Sequence, residues 1–151
     1  MKAFRFKLER ILSLRKHRER EWEMKLAEIT GKCVTLAREI KERKMKKAEA
    51  FLHGAGGDAA ADYYWTHRYM MRLDQEIENR TVELEMCERK RAQVQEEYLR
   101  HSRDRKVLEN LKEKRRVEYI DQQKVEEVKQ IDDINTGRAA RALESAAGRE
   151  S

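Results

Sequence analysis

The sequence predicts an all-α fold, an antiparallel two-helix coiled-coil hairpin with unequal arms in which the second helix is longer. Three observations predict it. Of 151 residues, 42% are charged, only 39% are hydrophobic and none is proline, whereas a compact domain carries about 25% charged residues. Apolar residues recur at helical spacing through two long stretches, too regularly for disorder and too narrowly for a globular core. Between them lies His53-Gly54-Ala55-Gly56-Gly57-Asp58-Ala59-Ala60-Ala61. Each glycine costs about 1 kcal/mol in a helix interior, so the chain is expected to turn there. The expected segments are a first helix over 1–53, a turn over 54–61, a second helix over 62–140 and a frayed tail over 141–151.

The first helix, from about residue 4 to 52, places Leu8, Leu12, Trp22, Leu26, Ile29, Cys33, Leu36 and Ile40 on one heptad seam. The seam is interrupted at Arg15 and Glu19 and fades towards Arg43 and Lys47. Such a stripe buries itself against one partner helix. At 1.5 Å per residue the rod is about 70 Å long and needs packing from beyond the gap. Its beginning is basic, with Lys2, Arg5, Lys7, Arg10, Arg15, Lys16, Arg18 and Arg20 against Glu9 and Glu19.

The second helix is expected to be capped by Asp58 or Asp62, whose carboxylate accepts bonds from orphan amides and favours the helix dipole. Its seam runs through Met70, Leu73, Ile77, Leu84, Cys87, Val94 and Tyr98. The pattern slips around His101–Lys106, the signature of a stutter. It resumes at Val107, Leu108, Leu111, Val117, Ile120, Val125, Val128, Ile131 and Ile134. Two registers satisfy the matching of the seams. One sets Leu36 against Ile77. The other, a heptad away, sets Leu36 against Leu84 and Trp22 against Tyr98; it matches more apolar pairs but needs a longer turn. Either leaves the end of the second helix overhanging, beside a basic open end.

Catalytic chemistry finds no support. The glycine gap lacks the Gly-Lys-Ser/Thr of a phosphate-binding loop. His17, His53, His67 and His101 lack metal-ligand spacing and read as solvated helix residues, so no metal or cofactor is expected. Cys33 and Cys87 fall on the seams as small apolar residues, and their lack of a C-x-x-C pair suits a reducing cytoplasm. No apolar run reaches the length of a membrane span, and the N-terminus is not a secretory signal. The basic end has no stacking platform or DNA-reading fold, which argues against nucleic acid. Tyr63, Tyr64, Trp65 and Tyr69, followed by Met70 and Met71, exceed what one seam can bury and form a candidate docking patch.

Three segments carry a resemblance to the flagellar FliJ family. Phe4-Arg5-Phe6-Lys7-Leu8-Glu9-Arg10-Ile11-Leu12-Ser13-Leu14-Arg15 resembles its opening, F-x-F-x-L-x-x-[VIL]-L-x-x-R. Tyr69, Leu73 and Ile77 resemble the start of its second helix, and Val128-Lys129-Gln130-Ile131-Asp132-Asp133-Ile134 with Arg138 and Arg141 its close. The resemblance implies a non-catalytic stalk of the flagellar type III export apparatus, peripheral at the cytoplasmic face of the cell membrane. It implies that the open end enters a hexameric export ATPase; the residues of that end expected to contact the ring are Phe4, Phe6, Leu8, Leu12, Ile131 and Ile134. It also implies a patch for the linker of the membrane export-gate protein, at Tyr69 and Leu73 with Glu76 and Arg80 on the same face. Export chaperones are further implied partners. The stalk of a virulence-type secretion system and a self-associating coiled coil are the competing readings.

Overall fold

A computed structural model of the chain describes residues 3–54, 56 and 59–148. Two helices account for almost all of them: α1, Glu9–Gly54 (46 residues), and α2, Ala60–Ala147 (88 residues). Among the described residues there is no strand, and the two helices pack antiparallel as a helical hairpin with the second the longer. The chain divides into two compact units. Unit 1 takes the residues up to Ser13 and those from Arg105 onward; unit 2 is Leu14–Asp104.

Unit 2 contains the turn and most of the seam. Ile29, Cys33, Ile40 and Leu73 are buried, flanked by half-buried Trp22, Leu26, Leu36, Met70, Ile77, Leu84, Val94 and Tyr98. The cross-helix pairs select between the two registers. Cys33 meets Cys87, Arg15 pairs with Asp104 at 2.8 Å and Lys47 with Asp74 at 2.6 Å. These contacts belong to the register that sets Leu36 level with Leu84. Trp22, in that register, stacks on His101, with ring centroids 5.8 Å apart and planes 16° apart.

α1 ends at Gly54 and α2 begins at Ala60, and the two helices come close at the mouth of the turn. A Cβ on Gly54 would stand 2.6 Å from Thr66 Cγ2, so the absence of a side chain lets the last turn of α1 come against α2. Beyond the turn, Asp62 lies in the first turn of α2 rather than capping it, where its charge still favours the helix dipole. The other candidate cap, Asp58, lies outside the described residues.

Interruptions in the apolar seam turn out to be polar contacts. Arg15, Arg43 and Lys47, which break or end the line in α1, reach across to Asp104, Glu76 and Asp74. His101 departs from the solvated role expected of it: it is 9% exposed, and Ser102 beside it 8%. Both sit where the heptad slips, and the flat His101 ring lies against Trp22.

Unit 1 departs from the helix expected from residue 4. Residues 3–6 are non-helical, 7 and 8 form a turn, and α1 begins at Glu9, whose amide donates to the Phe6 carbonyl at 3.2 Å. Phe4, Phe6 and Leu8 are half-buried while Arg5 and Lys7 are exposed. That alternation of two is the mark of an extended segment lying on a surface. The surface is α2, where Phe4 packs on Tyr119 with centroids 5.7 Å apart. At the other end, α2 continues through Ala147, past the expected boundary near residue 140, without breaking at Gly137.

Candidate functional site

The six residues expected at the ATPase contact all fall in unit 1, in three different settings. Phe4, Phe6 and Leu8 line a cleft of about 570 Å³, closed on the α2 side by Leu111, Arg115 and Tyr119. Lys112 clamps the start of α1 by pairing with both carboxylate oxygens of Glu9, at 2.9 and 3.0 Å. Leu12 is 1% exposed and is taken up by packing rather than offering a contact. Ile131 and Ile134 are 57% and 55% exposed, on the part of α2 beyond the cleft. With Val117, Ile120 and Val128, also exposed, they fall on one side of α2 by helical periodicity and form an apolar stripe.

The four residues expected at the export-gate patch belong to unit 2; Tyr69, Leu73 and Glu76 line one shallow cavity with Arg43 and Arg72, and the four differ in exposure and in partners. Tyr69 is exposed, and Leu73 is 4% exposed within the seam. Glu76 accepts from Arg43 Nε of α1 at 2.9 Å and from Arg72 Nε at 3.1 Å. Arg80 pairs with Glu39 of α1 at 3.2 Å and with Glu83 at 2.9 Å. Glu76 and Arg80 thus bracket the seam as a charged network that ties the helices together. The Arg43 hydrogen bond, reinforced by Arg72, holds the Glu76 carboxyl below its usual range. Glu83 and then Glu39 bind the Arg80 proton more firmly. Only Tyr69 of the four presents an uncommitted surface.

Around Tyr69 the structure exposes more apolar surface than the four-residue set includes. Tyr63, Tyr64 and Trp65 are all more than half exposed, as are Phe51, Leu52 and Met71. Tyr64 and Trp65 meet edge to face at 5.7 Å. Trp65 and Tyr69 share a shallow cavity of about 440 Å³ with Ala50, His53 and Thr66. Phe51 and Leu52 line a second, of about 680 Å³, with Met70 and Ile77. The aromatic run is legible in the sequence; the contribution of Phe51 and Leu52 is not, because it depends on where the first helix ends.

These surfaces suit the binding of other proteins, and among the described residues no group of acids, histidines and cysteines could hold a metal. No helix among them is long and apolar enough to cross a membrane. A family model described as "Flagellar FliJ protein" matches residues 4–144. The chain belongs to the flagellar FliJ family. It is a flagellar export-related coiled-coil protein. No curated protein and no solved structure matches the chain. The FliJ match takes in both units and both candidate surfaces, the cleft at Phe4 and the aromatic surface at Tyr69 alike.

Proposed function

We propose that this FliJ-family chain is a non-catalytic stalk of the flagellar type III export apparatus, acting at the cytoplasmic face of the cell membrane. Its unit 1 engages the hexameric export ATPase and promotes assembly and turnover of the ring. Its aromatic surface around Tyr69 engages the linker of the membrane export gate, and the stalk escorts export chaperones. The observation that carries this reading is the family match across residues 4–144. The physical support is a long helix with an unpartnered apolar stripe in unit 1 and an exposed aromatic surface in unit 2.

The division of labour follows from what each surface can offer. Ile131 and Ile134 present branched apolar side chains on a helix rich in acids and bases, which suits a lining that is apolar at its centre and polar at its rim. Tyr and Trp are the residues that most often anchor protein interfaces, and Tyr69 is the exposed member of the expected gate patch. Leu73, Glu76 and Arg80 act on that patch through α2, by fixing its packing.

The test separates the two surfaces. Ile131→Ser with Ile134→Ser should weaken co-sedimentation with the export ATPase and reduce stimulation of its turnover about tenfold, for a loss of about 1.4 kcal/mol. Tyr69→Ala should leave that activity intact and weaken binding of the gate linker instead. Both variants alter exposed positions, so their circular dichroism should match the parent. Undiminished ATPase binding by the first variant would remove unit 1 from the contact. A melting temperature that rises with the chain's own concentration would favour a self-associating coiled coil.

A further inference from the structure

We propose that Cys33 and Cys87 form an oxidisable dithiol, which a peroxide converts to a disulfide tying α1 to α2 within unit 2. They are the only cysteines of the chain; both are free thiols, and their Sγ atoms lie 2.7 Å apart on facing seam positions. A disulfide bond is about 2.05 Å long, so small side-chain adjustments suffice to form it. The juxtaposition belongs to the observed register. In the alternative, a heptad away, Cys33 would face Arg80.

Access is unequal, and this sets the order of events. Cys33 is 3% exposed. Cys87 lines a surface groove of about 760 Å³ between the helices, with Ile29, Gly31, Leu36 and Met86. A Cβ on Gly31 would meet nothing within 4 Å, so the groove is open above that residue. Burial, followed by the neighbouring Cys87, pushes the Cys33 thiol up; it is therefore the poorer first nucleophile.

Cys87, as thiolate, attacks one peroxide oxygen. The O–O bond breaks, Cys87 becomes a sulfenic acid, and the departing hydroxide takes up the thiol's proton as water. Cys33 Sγ then attacks the Cys87 sulfur. The S–S bond forms, the S–O bond breaks, and the second hydroxide leaves with the Cys33 proton as water. In sum two thiols are oxidised, one peroxide is reduced and two waters are released. The link fixes the helices in one register, and it stands independently of the flagellar reading.

The experiment uses the full, reduced chain and hydrogen peroxide, followed by denaturation and alkylation with a maleimide. The expected product is a monomer about 2 Da lighter, carrying no alkyl group, with one proteolytic product joining Cys33 to Cys87. Formation of the link should slow at least tenfold in denaturing urea, where the preset proximity is lost. Cys87→Ser should leave Cys33 alkylatable after the same exposure. Intermolecular disulfide dimers, a sulfinic acid at Cys87 without a cross-link, or equal rates with and without urea would each overturn the proposal.

Discussion

Gly31 and Gly54 have opposite surroundings, and substitution should expose the difference. Gly31 lies inside α1, and a Cβ there would meet nothing within 4 Å. Replacing it with Ala removes the conformational cost of glycine, so Gly31→Ala should stabilise the chain by about 0.5–1 kcal/mol. At Gly54 the same methyl group would stand 2.6 Å from the stiff, β-branched Thr66. Gly54→Ala should therefore lower the melting temperature despite the better helix propensity of alanine. Glu76 provides a pH signature. Its folded-state pKa lies below the usual 4.5, first because of the Arg43 hydrogen bond and then because of Arg72. Its contribution is present above the unfolded value and is lost as pH falls through the lower, folded value. Glu76→Gln should thus melt below the parent at neutral pH, and the two melting curves should converge in acid below that window.

At the scale of the element, α2 has unequal support along its length. From Met70 to Ser102 its seam residues are buried or half-buried. From Val125 to Ile134 its apolar residues are all more than half exposed. Helices of this kind take most of their stability from packing rather than propensity. Backbone amides near Leu73 and Cys87 should therefore exchange with solvent far more slowly than those near Ile131, as hydrogen exchange read by mass spectrometry would show. Uniform protection along α2 would contradict this gradient. The start of α1 illustrates a second competition. Phe4 and Phe6 fit a helical seam only loosely, but their alternation with Arg5 and Lys7 also fits an extended segment, and packing on Tyr119 favours the latter.

For the whole chain, membership of the FliJ family spans residues 4–144, and the exposed surfaces of both units remain available to partners. A ligand that binds the folded chain alone raises its melting temperature by mass action. Melting of the full chain should rise with added export ATPase and stay independent of the chain's own concentration. Much of the architecture was legible in the sequence, because helical periodicity, the absence of proline and a cluster of glycines are local properties. These predicted two long helices, the break between them, the longer second arm and the aromatic run at Tyr63–Tyr69. The candidate sites were legible only in part. Tyr69, Ile131 and Ile134 present themselves outward, whereas Leu12 and Leu73 are consumed by packing and Glu76 and Arg80 by cross-helix ion pairs. A heptad repeats every seven residues, so the sequence allowed two registers with similar apolar matching. Only packing chose between them, through the meeting of Cys33 with Cys87, the stacking of His101 on Trp22 and the close approach at Gly54, all of which depend on residues distant in sequence.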